Sequence, residues 1–239
     1  MTVELVAYTV SANGAGTCED VVERAAAVCY DSTPTLRHKI AAACARSGHM
    51  SVWEHACFTF HIAGVSRALL AQLSRHRHIS LSVRSQRYCK EVGYKHVTPQ
   101  TVCYADGTAE TFADAMFVAD EEYRQLLEEG IPAEDARYVL PNACATELYM
   151  TANARTLIEM SRLRLCMRAQ WEIRELFQEL KHVVGRVSPM VAEMMVPKCE
   201  QYPETPFCSE AKGCGRHPGL HDVYVRRRDG SDEQAKKFE

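Results

Sequence analysis

The chain has 239 residues, of which 46% are hydrophobic and 25% charged, and its formal net charge is −3. That composition is typical of a globular protein, and it excludes a global positive field that would attract nucleic acid or an anionic membrane. No run approaches the roughly 18 apolar residues of a membrane span, and Glu4 stands where a signal peptide carries basic residues. We therefore predict a cytoplasmic protein that binds no nucleic acid and no membrane.

The first part of the chain predicts two helices between two strands. Residues 3–10 form an apolar run that is typical of a strand. Thr17, with Asp20 three residues later, predicts the capped start of a helix. A second helix is expected over residues 35–46. Residues 56–63 alternate apolar and polar side chains, which predicts a half-buried strand.

The middle of the chain is mostly helical in pattern. Ser66 is expected to cap a helix that leads into a polar segment, and residues 108–129 predict a long amphipathic helix. Residues 143–152 predict a strand, after which Asn153 is placed to cap another helix. A further amphipathic helix covers residues 169–184.

These elements favour a mixed α/β (α+β) fold in a single domain over residues 1–196, with an irregular Cys-, Pro- and Gly-containing tail at 197–239. Residues 13–16 (NGAG) follow a strand and precede a helix, as a dinucleotide-binding fingerprint does. However, Glu19 stands where that fingerprint needs a third small residue. We therefore predict that the fold is not a Rossmann fold.

Cysteine usage bears on the compartment. The chain has 11 cysteines, an odd number, and Cys29, Cys44 and Cys57 stand singly inside apolar patterns. This usage predicts buried thiols in a reducing compartment rather than a disulfide framework.

The segment from 75 to 87, called here the signature segment, carries the strongest chemical signal. It contains four arginines, two histidines and three serines, and no acidic residue. Guanidinium groups and hydroxyls are suited to phosphate, and a gathering of like charges costs energy unless an anion answers it. A phosphate-bearing ligand is the favoured interpretation. A nucleic-acid patch and a solvated basic face remain alternatives.

Arg75-His76-Arg77, followed by Ser80, Ser85 and Arg87, reproduces the motif RHRxxSxxxxSxR of the flavin-dependent thymidylate synthases, which the chain resembles. Other blocks of the chain resemble that family in the same order: HMSVWEH (49–55), DARYVLP (135–141), TANARTL (151–157) and LRLCMRAQWEI (163–173). Together the matching blocks extend over roughly residues 45 to 185.

The resemblance implies a homotetramer in which FAD and dUMP bind in clefts built from several subunits. It also implies reductive methylation of dUMP to dTMP, with methylenetetrahydrofolate as the one-carbon donor, FAD as redox cofactor and carrier, and NADPH as the reductant. A non-catalytic flavin- or nucleotide-binding protein is the alternative. His49 and Tyr88 are candidates for the border of the folate site, although His49 is equally well explained as a turn residue.

The resemblance also implies the site residues, position by position. The cofactor-binding candidates are Ser51, Arg75, His76, Arg77, Val83, Asn153, Ala154, Arg155 and Glu159. The substrate-binding candidates are Gln72, Arg75, Val83, Arg84, Ser85, Gln86, Arg87, Arg137 and Arg164.

Arg164 is the catalytic candidate because it resembles the arginine that addresses the uracil ring. Negative charge must develop on that ring when C5 attacks an electrophile, and a fixed cation stabilises such charge. This route needs no nucleophilic cysteine, and no cysteine lies in the signature segment.

Two positions depart from the family pattern. Val83 stands where a polar residue is expected, so one side-chain contact to nucleotide or flavin is missing. Glu159 stands where a neutral or basic residue commonly meets FAD. Its carboxylate would repel a flavin phosphate unless it were paired, and Arg155, four residues earlier on the same helix, is the predicted partner.

The tail carries a separate candidate. Cys199, Cys208, Cys214 and His217 could hold a structural zinc ion, which would supply order to a segment with little apolar periodicity. The absence of a CxxC pair weakens this hypothesis. Unmetallated thiols and a disulfide are the alternatives.

Overall fold

A computed structural model describes residues 1–12 and 16–223. Within these residues the fold is mixed α/β, with one four-stranded antiparallel sheet, which confirms the predicted fold class. Asn13, Gly14 and Ala15 of the fingerprint-like turn lie outside the described residues, as does the tail beyond residue 223. None of the described helices combines the length and apolar character that crossing a membrane requires.

The strands are β1 (Thr2–Tyr8), β2 (Cys57–Ser66), β3 (Ile79–Val83) and β4 (Ala145–Asn153), and their order in the sheet is β1-β2-β4-β3. The helices of the described chain are α1 (Cys18–Cys29), α2 (Lys39–Arg46), α3 (Arg67–Leu73), α4 (Gln100–Tyr104), α5 (Thr108–Glu128), α6 (Ala133–Ala136), α7 (Ala154–Arg164), α8 (Trp171–Gly185) and α9 (Pro189–Met194). Short 3-10 turns cover Met50–His55, Arg137–Val139 and Lys198–Glu200.

The chain divides into two compact units. The first contains Met1–Tyr8 and Cys57–Ala152, and therefore holds the sheet. Phe58, Phe60 and Ile62 of β2 are fully buried, as alternation in the sequence predicts. The hydrophobic face of β2 therefore packs in the core of the first unit.

The second unit contains Thr9–Ala56 and the chain from Asn153 onward, and its regular elements within the described residues are helices and 3-10 turns, apart from Asn153 at the end of β4. Helix α8 begins where Gln170 accepts a hydrogen bond from the Ile173 N–H (3.1 Å). Its Leu176, Phe177 and Leu180 are fully buried. The predicted boundary between residues 196 and 197 remains a prediction.

The second helix begins later than the sequence pattern predicts, at Lys39 rather than near Thr35. His38 adopts a left-handed conformation (φ 48°), which stops the helix from extending further toward the N-terminus. Thr35 is held instead by the buried Glu23, whose Oε1 accepts the Thr35 N–H (3.0 Å) and the Thr35 hydroxyl (2.7 Å). The start of α2 is thus decided by a long-range contact.

The cysteine prediction is only partly correct. Cys44 is buried, but Cys29 and Cys57 are exposed, because Cys57 points to the opposite face of β2 from Phe58. The 11 cysteines all lie within the described residues, and no two of them form a disulfide.

Candidate active site

The signature segment contains an edge strand that the sequence pattern did not predict. β3 pairs with β4 in the register Ile79↔Ala152 to Val83↔Leu148, and no other strand of the described residues pairs with its other side. Ser80 and Ser82 are exposed, whereas Ile79, Leu81 and Val83 are half-buried. The strand therefore presents serine hydroxyls on one face, and Val83 belongs to the apolar face.

Arg75 and Arg77 lie in the short connection between α3 and β3. Both side chains are exposed, and neither forms an ion pair with any residue that the structure describes. The intervening His76 is half-buried, and its backbone N–H donates to the Leu73 carbonyl (3.1 Å), which continues the turn of α3. Two cations are therefore available to an anion at this point.

Arg84 is engaged by carboxylates within its own unit. Its Nε donates to Oε1 of the buried Glu91 (3.1 Å), and Nη1 lies 3.6 Å from Glu147 Oε1. The hydrogen bond to Glu91 raises the pKa of Arg84. The Arg84 carbonyl in turn accepts a hydrogen bond from Arg67 Nη2 (2.8 Å), and burial lowers the pKa of Arg67. The contacts of Arg84 with Arg67, Glu91 and Glu147 therefore stabilise the loop after β3.

Arg87 and Arg137 converge on Glu134. Arg87 Nε and Nη2 each lie 2.9 Å from Glu134 Oε2, and Arg137 Nε donates to the Glu134 carbonyl oxygen (2.9 Å). The Ser85 hydroxyl accepts the Arg87 backbone N–H (3.2 Å). The first unit therefore gathers two arginines predicted to bind substrate, together with a carboxylate that the sequence pattern did not identify.

The two glutamines of the substrate set are half-buried. Gln86 Nε2 lies 3.7 Å from the sulfur of the buried Cys144, and burial raises the pKa of that thiol to about 11. Gln72 Nε2 donates to the Ala68 carbonyl one turn earlier in α3 (3.4 Å). Both side-chain amides therefore contact residues of the first unit.

The second unit holds the remaining cofactor candidates. Asn153 Oδ1 accepts the Thr156 N–H (2.9 Å), so the predicted cap of α7 is confirmed. Ala154 is fully buried and its N–H donates to the Ala56 carbonyl (2.7 Å), which leaves neither its methyl group nor its N–H exposed to a ligand. Ser51, in the 3-10 turn, is exposed.

The predicted pair of Arg155 and Glu159 is confirmed, with Arg155 Nε 2.9 Å from Glu159 Oε1. Arg155 Nη1 also donates to Glu54 Oε1 (2.7 Å), which the sequence pattern did not predict. Hydrogen bonds to Glu159 and then Glu54 raise the pKa of Arg155. The repulsion that Glu159 would exert on a phosphate is therefore offset by this arginine.

Arg164, the last residue of α7, is half-buried and lines a cavity of about 320 Å³ in the second unit. Four other basic residues line the same cavity: Arg162, Arg168, Lys198 and Arg216. Arg168 Nη1 donates to Glu210 Oε2 (2.6 Å), which ties this wall to the C-terminal segment. The cavity is thus strongly cationic.

The four residues of the zinc hypothesis all line this cavity, but the structure groups them differently. Potential ligand atoms of Cys199, Glu200 and His217 lie within 4.8 Å of one another. Cys208 and Cys214 do not belong to that group. The structure therefore does not bring the predicted three thiols and one imidazole together as a set, because the Glu200 carboxylate lies beside His217, with Oε1 3.2 Å from Nε2.

Exposed arginines beside an edge strand with serine hydroxyls give this protein of the mixed α/β class a surface suited to an anion. Comparison with known proteins identifies its family. The family model described as "Thymidylate synthase complementing protein" matches residues 4–190. The chain belongs to this family.

Curated relatives carry the name flavin-dependent thymidylate synthase. The protein of Geobacter sulfurreducens is 43% identical over 193 residues, which cover 76% of this chain and 83% of the relative. That of Clostridium tetani is 35% identical over 234 residues, with 87% and 92% covered. That of Nitratidesulfovibrio vulgaris is 40% identical over 182 residues, with 72% and 73% covered.

Proposed function

We propose that this chain is a flavin-dependent thymidylate synthase that converts dUMP to dTMP by reductive methylation. One observation carries the proposal: the phosphate-type signature of the family is present, and its Arg75 and Arg77 are exposed with no carboxylate among the described residues paired to them. A merely solvated basic face would not require an edge strand with exposed serine hydroxyls between the arginines that precede and follow it.

The dUMP phosphate is assigned to Arg87, with Arg137 and the loop amides beside Ser85 contributing. The Arg87–Glu134 pair stands in solvent, because the side chains are 53% and 46% exposed. Exposed pairs contribute only about 0–1 kcal/mol, so a doubly charged phosphate with bidentate geometry competes well with Glu134 for the guanidinium group. Gln72, Gln86 and Arg84 complete the proposed substrate set.

The residues present fit FAD, whose pyrophosphate requires fixed cations and donors. Arg75, His76 and Arg77 offer them in the first unit, and Ser51, Asn153 and Arg155 are the candidates in the second. When bound, FAD would supply the reducing equivalents and carry the one-carbon unit. Arg155 is already balanced by Glu54 and Glu159, so we assign the greater part of phosphate binding to Arg75 and Arg77.

Arg164 is assigned to the uracil ring. A cation held beside the ring oxygen and N3 stabilises the negative charge that develops when C5 becomes nucleophilic, and a water-poor site strengthens that interaction. Arg164 is the last residue of α7, and it lies half-buried in the wall of a cavity. This position supports the proposed role. No thiol has to attack the ring in this scheme.

We further infer that NADPH is the reductant, that methylenetetrahydrofolate donates the one-carbon unit, and that the protein is a cytoplasmic homotetramer. His49 and Tyr88 are the proposed border of the folate site. Both are exposed: His49 Nδ1 lies 3.2 Å from the Tyr30 hydroxyl, and the Tyr88 ring lies 5.4 Å from the Arg87 guanidinium carbon. An exposed aromatic ring beside a cation suits the flat pteridine ring of a folate.

The test is release of tritium from C5-labelled dUMP by the purified protein with FAD, NADPH and methylenetetrahydrofolate. We expect release and dTMP formation that stop when FAD is omitted. Arg24→Ala, an exposed change on α1, serves as the matched control and should retain activity. Binding of FAD and dUMP without any tritium release or dTMP would overturn the proposal and leave a non-catalytic nucleotide-binding protein.

A further inference from the structure

Residues 197–220, called here the C-terminal loop, bury few of their side chains. No residue from 198 to 223 is fully buried. Backbone hydrogen bonds nevertheless define the loop: the Phe207 N–H donates to the Cys199 carbonyl (3.1 Å), and the Cys208 N–H donates to the Pro218 carbonyl (2.8 Å). Segments that bury so little surface usually need a crosslink or a metal ion to hold one conformation.

Three side chains of different chemistry meet within this loop. The thiol of Cys199, a carboxylate oxygen of Glu200 and a ring nitrogen of His217 lie within 4.8 Å of one another, and all three residues are half-buried. His217 Nε2 lies 3.2 Å from Glu200 Oε1. Zinc bonds of 2.0–2.3 Å place tetrahedral ligands roughly 3.3–3.8 Å apart, so a contraction of about 1 Å would complete the geometry.

We propose that Cys199, Glu200 and His217 bind a zinc ion that crosslinks the C-terminal loop beside the cavity that Arg164 lines. Thiolate and imidazole ligands favour zinc over magnesium or calcium, which prefer oxygen. Three further thiols, those of Cys166, Cys208 and Cys214, line the same cavity, and one of them or a water molecule is the fourth ligand.

The charge of the cavity is compatible with a divalent ion. Five basic residues line the cavity, and an isolated dication would be repelled by them. The thiolate of Cys199 and the carboxylate of Glu200 supply two negative charges to the ion. Because the thiol releases its proton when the ion binds, the net charge of the cavity rises by one rather than by two. Arg216 Nε lies 2.7 Å from Glu200 Oε1. This contact can persist when zinc binds, because a carboxylate has enough lone pairs to bind a metal ion and accept a hydrogen bond at once.

The site is independent of the proposed enzymatic function. The family model ends at residue 190, so the C-terminal loop lies outside the part of the chain that it matches. A failure of tritium release would not change the expected zinc content, and an absence of zinc would not contradict the proposed reaction. The two proposals can therefore fail separately.

The first experiment measures zinc per chain by elemental analysis in full-length protein that was purified without chelators. We expect about one zinc ion per chain. Cys199→Ser and His217→Ala should each weaken zinc binding by about 100-fold or more, which exceeds the 10–100-fold effect of changes to residues behind the ligands. Cobalt substitution should give a thiolate-to-cobalt absorption band, and Cys199→Ser should reduce the intensity of that band.

Two matched controls change the same residue types elsewhere. Cys103→Ser removes an exposed thiol of α4, and His182→Ala removes an exposed imidazole of α8, and both variants should retain full zinc. Circular dichroism verifies that each variant is folded. Less than about a tenth of an ion per chain in the wild type would overturn the proposal, because bound structural zinc is expected near stoichiometry.

Glu200→Gln distinguishes the proposed ligand set from the three-thiol set. We expect weaker zinc binding in this variant. Full zinc in Glu200→Gln, together with loss in both Cys208→Ser and Cys214→Ser, would overturn the assignment of the ligands. If the ion fastens the loop, its removal should also speed proteolytic cleavage within residues 197–220, and an unchanged cleavage rate would refute that role.

Discussion

Arg87 Nε donates to Glu134 Oε2 (2.9 Å) and Arg87 Nη2 lies 2.9 Å from the same oxygen, so the arginine proposed to bind the substrate phosphate faces a carboxylate of its own chain. The pair orients the guanidinium group across the loop after β3. The same carboxylate must release the arginine, or share it, when a phosphate arrives. We therefore expect Glu134 to compete with a bound anion for the Arg87 guanidinium group.

Glu134→Gln should tighten dUMP binding. Removal of one negative charge about 6 Å from a doubly charged phosphate in water relieves repulsion equivalent to roughly a 3- to 10-fold lower Kd, before screening by salt. Titration calorimetry at low and high salt measures the effect, which should shrink as salt is added. Weaker dUMP binding in the variant would mean that Glu134 orients Arg87 productively rather than competing with the phosphate.

Arg87→Lys should weaken dUMP binding by about 10- to 100-fold, because the point charge of lysine cannot replace a bidentate fork. Deoxyuridine lacks the phosphate and provides the control. It should bind poorly to the wild-type protein and change little in the variant. Equal losses for dUMP and deoxyuridine would show that Arg87 supports the loop rather than binding the phosphate.

Arg164→Ala should reduce kcat by about 10²- to 10³-fold, the usual cost of removing one preorganised charge-stabilising group. FAD binding, followed by the absorbance of the flavin, should remain near that of the wild type. Arg24→Ala again serves as the control for a lost surface arginine. Near-normal dTMP formation in Arg164→Ala would contradict the assignment to the uracil ring.

Glu23→Gln should destabilise the fold at neutral pH. Glu23 is buried, and its carboxylate accepts the Ala41 N–H (2.7 Å) and the Ile40 N–H (3.4 Å) at the start of α2, which has no side-chain cap of its own. Burial acts to raise the pKa of Glu23, but these N–H groups and Thr35 outweigh it, so the pKa is lowered. We expect a loss of about 1–3 kcal/mol in the free energy of unfolding.

The pH dependence of that loss follows from the sign of the pKa shift. A lowered pKa in the folded state means that the Glu23 carboxylate contributes its full stability above the ordinary value of 4.5. The contribution falls as the pH drops through the lowered pKa, so the wild type and Glu23→Gln should converge in acid. Urea unfolding from pH 7 downward measures this. Glu179→Gln, an exposed change on α8, is the matched control and should change the free energy of unfolding at neutral pH by less than about 0.5 kcal/mol.

Local patterns were sufficient to predict much of the secondary structure. The predicted strand over residues 56–63 and the helix over 108–129 are confirmed as β2 and α5. β2 was predictable because alternation reports burial directly, and α5 because its apolar face recurs at helical spacing. β3 was missed because it is short and its outward positions carry serines, which resemble a loop when the neighbouring strand is unknown.

What the sequence by itself determined is the family and the chemistry of the signature segment, because the identity and spacing of arginine, histidine and serine are written in consecutive residues. Only the tertiary structure decided which charges meet. Glu54, Glu134 and Glu147 lie far along the chain from the arginines they contact, which are Arg155, Arg87 and Arg84. It likewise placed Glu200, rather than Cys208 or Cys214, with Cys199 and His217. Ion pairs depend on distances of a few ångströms between atoms, and sequence spacing constrains such distances only within a single helix, strand or turn.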